Sequence, residues 1–309
     1  MKKDSKNGKA LFVRVWQAKY LYLCILPIMA WILIFQYGPM YGLLMAFKDY
    51  KAKLGILRSP WAGLENFKLI FKVPIAREAI INTLRISVGR LIFVFPIGIV
   101  IAILLTEMRG AKLKKICQTV LTFPHFLSWV VVACILKNFL STEGVVNSLL
   151  GGLGMDSVNF LGSENFFRPL LYITENWKEM GWSAIIYIAA IAGIDPTLYE
   201  AAEIDGASRL RRIWHITLVG IRPTIAIMFI LAVGNVMNAG FDQIFNMRNG
   251  LVEDAARILD TYVYDITFAR VPDYGFSTAV GLFKSVVNLL LLLIANKMTF
   301  FITGDKMLS

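Results

Sequence analysis

The strongest constraint on this chain is a series of apolar runs. Each is about 20 residues long, enough for a helix to cross the hydrocarbon core of a bilayer. Lipid offers no hydrogen bonds, so such runs are stable in a membrane only as helices whose backbone groups bond one another. Expected spans lie at 20–47, 80–106, 116–140, 168–193, 221–245 and 277–301. Hydrophobic residues make up 57% of the 309, against roughly 45–50% in soluble domains. The expectation is an all-α polytopic membrane protein with six transmembrane helices.

Charges between the runs set the orientation. Lys2, Lys3, Lys6, Lys9, Arg14 and Lys19 precede the first run, against the one acid Asp4. That excess places the segment 1–19 in the cytoplasm. The run from Tyr20 to Phe47 is longer than a secretory signal core and lacks a small-residue cleavage site, so it reads as an uncleaved first helix. Arg109, Lys112, Lys114 and Lys115 mark a cytoplasmic loop, whereas 141–167 holds Glu143, Asp156 and Glu164 with no basic residue and reads as outward. The loop ending at Phe276 is also acidic, and the tail 302–309 with Lys306 returns to the cytoplasm. One segment conflicts with this pattern. The amphipathic stretch 48–79, expected outside, carries seven basic residues against three acids. The positive-inside rule is a bias over the whole chain, so both termini are still expected in the cytoplasm. The parts are then 1–19, the first helix with its outer loop at 20–79, a core of five helices at 80–301, and the tail.

The excess of 32 Lys+Arg over 21 Asp+Glu follows from these flanks and does not point to nucleic acid. Cys24, Cys117 and Cys134 lie in or beside apolar segments without metal-ligand spacing and read as buried free thiols. No glycine-rich phosphate loop, HExxH, paired CxxC or GxSxG occurs. His125 and His215 fall in different segments, which disfavours a metal centre or catalytic triad. The chain reads as neither an enzyme nor a cofactor carrier.

Polar side chains inside a span are costly and usually face a cavity or the bundle interior. In the fifth span Asn235, Asn238 and Asp242 are spaced to share one helical face, with Gln243 beside it. In the sixth, Ser277, Gly281, Lys284 and Asn288 follow a similar spacing; in the fourth, Glu175, Lys178 and Glu179 accompany Trp177 and Trp182. Amides and acids beside aromatic rings suit polyhydroxyl ligands, the rings covering the apolar sugar face. Two alternatives stay open. These groups can simply bond helix to helix, and Lys178 can snorkel from the outer end of its helix.

Between the fourth and fifth spans lies the longest charged run, Tyr199–Pro223. It reads as two short helices broken at Gly206, with Asp195 as cap and Pro196 in the first turn. Glu200, Glu203 and Asp205 precede the glycine; Arg209, Arg211 and Arg212 follow it. By charge alone it is either a solvated loop or a docking surface.

Its residues resemble the E-A-A-x3-G-x9-I-x-L-P motif of permease subunits of ABC importers. Glu200-Ala201-Ala202, Gly206, Ile216 and Leu218 match, and Val219 stands where the family has proline. GLENF at 63–67, NTLRIS at 82–87 and FDQIF at 241–245 resemble the carbohydrate-uptake branch. The stretches 37–50 and 175–208 are similar to its LplB-type permeases for complex oligosaccharides. The resemblance implies the type I importer permease fold in the bacterial cell membrane. It also implies a second, similar permease, two copies of a cytoplasmic ATPase carrying ATP and Mg, and an extracellular sugar-binding protein. Glu200, Ala201, Ala202, Glu203, Asp205, Gly206 and Arg209 would then dock the ATPase, with the arginines also able to meet lipid phosphates. An oligosaccharide would pass Asn235, Asn238, Asp242, Gln243, Trp177, Lys178, Trp182, Lys284 and Asn288. A peptide, amino-acid or anion permease stays open as an alternative, and an ion-gradient-driven carrier is the rival class.

Overall fold

The computed structural model describes residues 16–268 and 271–303. The expectations for 1–15 and 304–309 lie outside them. By internal contacts the chain divides into residues up to Phe67 with Asp273–Ala279, and Lys68–Pro272 with Val280 onward.

In the first unit, helix α1 (Lys19–Ile32) runs into a π turn at Leu33–Tyr37 and a 3-10 segment at Gly38–Phe47. Together they form one candidate span, Lys19–Phe47. The GLENF asparagine closes this unit: Asn66 Nδ2 donates to the carbonyls of Ala46 at 2.9 Å and Lys48 at 3.0 Å. Phe47 stacks on Trp61 and packs against Phe67. Helix α2 is Glu65–Lys72.

The second span begins at Pro74, inside the stretch expected to be loop, and ends at Glu107. It comprises α3 (Pro74–Phe93) and α4 (Phe95–Glu107), separated at Val94. Proline suits each start, because the first-turn N–H has no intrahelical partner. The span expected at 116–140 is two helices. Helix α5 (Ala111–Thr122) leads into a 3-10 turn at Phe123–Phe126, and Pro124 supplies no N–H to carry the α-helix onward. Ser128 then caps α6 (Trp129–Leu140) by accepting from the Val131 amide at 3.3 Å. Helix α7 (Val145–Gly152) occupies part of the expected loop 141–167, and the candidate span here is Trp129–Gly152.

Helix α8 (Glu164–Ala192) is the long axis of the second unit and stops at Gly193. Next come α9 (Pro196–Ile204) and α10 (Arg209–Arg212), the latter extended by a π turn at Ile213–Thr217 and by Leu218–Gly220. The fifth span is not continuous to residue 245. Helix α11 (Arg222–Gly234) ends well short of it, and α12 (Phe241–Met247) starts anew after an irregular stretch. Helices α13 (Leu259–Thr267) and α14 (Tyr274–Thr303) complete the chain. Among the described residues four helical segments are long and apolar enough to cross a membrane. Two bent pairs, Glu164–Ala192 with Pro196–Ile204 and Arg209–Gly220 with Arg222–Gly234, bring the number up to six.

Helix α8 packs along α4 and joins two apolar clusters. Phe167 and Leu171 meet Ile86, Ile244 and Ile258; Ala184 and Tyr187 meet Ala102 and Ile221. The thiols are free, but Cys24 and Cys134 are exposed and Cys117 is half-buried. They sit on helix faces that this chain leaves uncovered.

The NTLRIS asparagine ties α3 to the segment before α13. Asn82 Nδ2 donates to the carbonyls of Asp254 at 2.6 Å and Arg257 at 3.2 Å, while its Oδ1 accepts from Arg168. Thr83 Oγ1 accepts from the Leu259 amide. Replacing Asn82 with Leu orphans these buried groups at about 1–3 kcal/mol each. The expected result is a clearly lower unfolding midpoint in detergent; an unchanged midpoint would contradict the anchoring role.

Candidate functional site

The charged hairpin is built by local rules. Asp195 Oδ1 accepts from the Thr197 amide at 2.9 Å and caps α9, with Pro196 in the first turn. At the other end the Ala207 amide donates to the Ala202 carbonyl at 2.8 Å and the Gly206 amide to Glu203 at 3.1 Å. That pair of bonds is a Schellman cap, and Gly206 takes the left-handed φ of 73° it requires. Ser208 caps α10. Glu203 and Arg212 pair across the turn at 3.1 Å, and the Tyr199 hydroxyl meets the buried Thr217 hydroxyl at 3.0 Å. Glu200, Ala201, Asp205 and Arg209 all remain exposed. So do the apolar Ile204 (87%), Leu210 (70%) and Trp214 (65%). The hairpin thus exposes apolar as well as charged side chains. The sequence reading missed these three residues, although the apolar character of each was visible within the motif.

The helix-five stripe does not exist as a helical face. Asn235 is the C-terminal cap of α11, Asn238 lies in the irregular stretch, and Asp242 is exposed in the first turn of α12. Asn235 and Asn238 still meet, Nδ2 of the second donating to Oδ1 of the first at 3.1 Å. The break is braced from α3 by Arg90, which sequence reasoning overlooked. Its Nη2 donates to Gln243 Oε1 at 2.5 Å. Its Nε lies 2.8 Å from Glu175 Oε2, though without hydrogen-bond alignment, so that contact is ionic. Gln243 is 1% exposed and donates to the Leu171 carbonyl and Thr174 Oγ1, each at 2.8 Å. Gly240, at φ 79°, lies against the guanidinium, which any Cβ there would strike. Irregular backbone at membrane depth is tolerated only where it is buried or lines a cavity. Here it does both, since a recess opens between Ser87, Arg90, Asn235 and Asn238.

One helical turn beyond Glu175 is a second polar cluster. Lys178 does not snorkel; it is 5% exposed and donates to the His125 carbonyl at 2.7 Å and to Glu179 at 3.0 Å. His125 Nδ1 contacts the other Glu179 oxygen at 2.6 Å, and its ring stacks on Trp182 at 4.2 Å, with planes 1° apart. Lys178 also sits over Trp129 at 5.6 Å, a cation–π contact. His125 was legible only as one of two isolated histidines, because the 3-10 turn that aims it at α8 is a tertiary feature. Trp177 faces away, toward α6 and α7. On α14, Lys284 pairs with Asp260, Asn288 accepts from the Met237 amide at 2.9 Å, and Ser277 is buried. Asn288 is thus a helix-to-backbone tie.

Of the hairpin groups, Asp195 has its pKa held below the usual carboxylate value by the hydrogen bonds from Thr197. A depressed folded value means that the cap is fully formed at neutral pH and is lost as pH falls through that value. Asp195→Ala should therefore speed hydrogen exchange at the Thr197 amide at neutral pH by about five- to tenfold, while Asp195→Asn keeps the native rate. Equal rates in both variants would contradict the cap.

Residues 95–299 match the family described as binding-protein-dependent transport system inner membrane component. The chain is 43% identical over 294 residues to the polygalacturonan/rhamnogalacturonan transport system permease protein YteP of Bacillus subtilis, covering 95% of this chain and 91% of that one. It is 44% identical to the protein LplB of the same organism, covering 90% and 87%. Among solved structures it superposes with TM-score 0.87 and 38% identity on a chain of a bacterial ABC transporter involved in import of the acidic polysaccharide alginate. That match covers 95% of this chain and 99% of the other. A second structure of an alginate ABC transporter, in complex with an alginate pentasaccharide-bound periplasmic protein, gives TM-score 0.88 at 37% identity. The family consists of transport components, not enzymes, and the fold is that of an ABC importer permease. With its capped charged hairpin and its braced polar break, this chain belongs to the inner membrane components of binding-protein-dependent transport systems.

Proposed function

We propose that the chain is one permease subunit of an ATP-driven importer of oligosaccharides. It crosses the membrane six times with both termini in the cytoplasm, and the hairpin docks on an ATPase. A second, similar permease completes the pathway, two ATPase copies supply ATP and Mg chemistry, and an extracellular binding protein delivers the sugar. The observation that carries this reading is the hairpin. Its tip combines the exposed acid Glu200, small Ala201 and Ala202, and the apolar Ile204, Leu210 and Trp214. The small side chains let a partner approach closely, and the apolar ones give it area to bury.

Cargo contact is assigned to the break of the fifth span and to the His125–Trp182 pair. An indole with 47% exposure, an amide pair and a carboxylate–lysine–histidine cluster together offer a ring face and oxygen partners. The acidic glycans named for the relatives fit the same chemistry. The connectivity suits alternating access. Helix α8 leads directly into the hairpin, so a displacement of the docked hairpin is carried along α8 to Lys178, Glu179 and Glu175.

Two substitutions test the coupling. Glu200→Arg reverses an exposed charge without touching the fold. Gly206→Pro forbids the left-handed φ and removes an amide donor. Both should leave the protein in the membrane while abolishing uptake of labelled oligosaccharide and stimulation of the ATPase by loaded binding protein. Normal uptake by Glu200→Arg would contradict the docking assignment.

A further inference from the structure

The basic segment after the first span has no part in the transport role proposed above. The stretch 48–79 carries seven basic residues against three acids, on the side of the membrane where such an excess is unusual. Its first part is a braced loop closed on the end of the span. The Ala62 and Gly63 amides donate to the Phe47 carbonyl at 2.9 and 3.0 Å, and the Asp49 amide donates to the Pro60 carbonyl at 3.0 Å. Lys48 Nζ donates to the carbonyls of Leu57 at 2.9 Å and Ser59 at 3.2 Å. The buried Ser59 hydroxyl donates to the Gly55 carbonyl at 2.7 Å and accepts from the Lys51 amide at 3.0 Å. Lys48 and Ser59 are therefore spent on the loop's own backbone. Lys51, Lys53 and Arg58 are exposed instead. Lys51 meets only Asp49, at 3.5 Å and in the open, and Lys53 and Arg58 have no ion-pair partner among the described residues. Between these cations stand exposed apolar side chains: Leu54, Leu57 (76%) and Trp61 (66%). Trp61 stacks on Phe47, the last residue of the span.

We infer that this loop is a docking site for the headgroups of anionic phospholipids, in the outer leaflet for the orientation proposed above. Its place in the chain favours that occupant. The loop begins and ends at the terminal residue of the span, so it starts where hydrocarbon gives way to headgroups. Its surface favours the same occupant over a soluble acidic glycan. A hydrated polyanion gains little from exposed leucines, whereas the membrane boundary takes up aliphatic side chains and the amphipathic ring of tryptophan together. Lysine and arginine fit this arrangement, because their stems lie along apolar surface while the charged ends reach the phosphates. Anionic headgroups attract such cations at close range. The bonds from Lys48 and Ser59 fix the loop before any lipid arrives, so little ordering remains to oppose binding. The basic residues then have a local partner on the outer side, and the loop no longer conflicts with the charge pattern of the chain. The inference requires Lys19–Phe47 to cross the bilayer and is independent of the cargo.

The test places the assembled importer in nanodiscs. Leu57→Cys, in a chain whose Cys24, Cys117 and Cys134 are replaced by alanine, carries an environment-sensitive fluorophore. Phosphatidylglycerol and phosphatidylcholine, each brominated near the headgroup end of the acyl chain, serve as quenchers. Phosphatidylglycerol should reach half-maximal quenching at a mole fraction at least about fivefold lower, the worth of one basic residue at an anionic surface. Lys53→Gln and Arg58→Gln should each remove part of that preference, and the two together nearly all of it. Soluble galacturonan tetramer should leave the quenching unchanged. No quenching by either lipid, equal quenching by both, or a preference that survives the double substitution overturns the site. Relief of quenching by galacturonan also overturns it and gives the surface to an acidic glycan. The preference of the chain with native charges is read without any charge variant, so the test stands even if one variant fails to fold.

Discussion

The interaction on which most of this structure depends is the contact of Arg90 with Glu175 and Gln243. A membrane helix that stops at Gly234 and restarts at Phe241 leaves backbone groups without their usual partners, and lipid cannot supply them. The Met237 amide is taken by Asn288 Oδ1, and a buried amide and a buried ion pair then hold the restarted helix in place. Gln243 ties the new helix to α8 through Leu171 and Thr174, and Arg90 ties both to α3. Without that brace the break would be a defect. With it, the break is a fixed wall that carries Asn235 and Asn238 into a recess.

The same logic recurs at the other irregular points. The turn at Phe123–Phe126 interrupts α5 and α6, and its exposed carbonyl at His125 is taken by Lys178 from α8. A lysine in mid-span would be expensive alone. Here its three donors meet a carbonyl, a carboxylate and an indole face. Helix α8 is thus the element to which both breaks are fastened, and it is also the element that leads into the hairpin. A short connection at Gly193–Asp195 joins the helix that carries both polar clusters to the charged hairpin.

How much of this was legible in the sequence follows from the range of each interaction. The hairpin was readable residue by residue, because Asp195, Pro196, Gly206 and Ser208 act on neighbours within a few positions. The spans were readable as apolar mass, but not their interruptions. Pro124 and Gly240 gave local signals of a break, yet a continuous period drawn through 221–245 put Asn235, Asn238 and Asp242 on one face they do not share. Arg90 carried no local signal at all, since its partners lie on α8 and α12. The burial of Lys178 was not legible for a related reason: its carbonyl acceptor, on His125, comes from a turn more than fifty residues earlier. Side chains that serve distant segments leave no periodic trace.

The central claim, that the braced break lines the transport path, is open to a direct measurement. Asn238→Cys in the assembled importer can be labelled by a membrane-impermeant maleimide, with and without loaded binding protein. The account predicts that the cysteine reacts readily in the resting importer and that oligosaccharide delivered by its binding protein slows the reaction. A labelling rate indifferent to the sugar, at a site still reactive and in an importer still active, would contradict it.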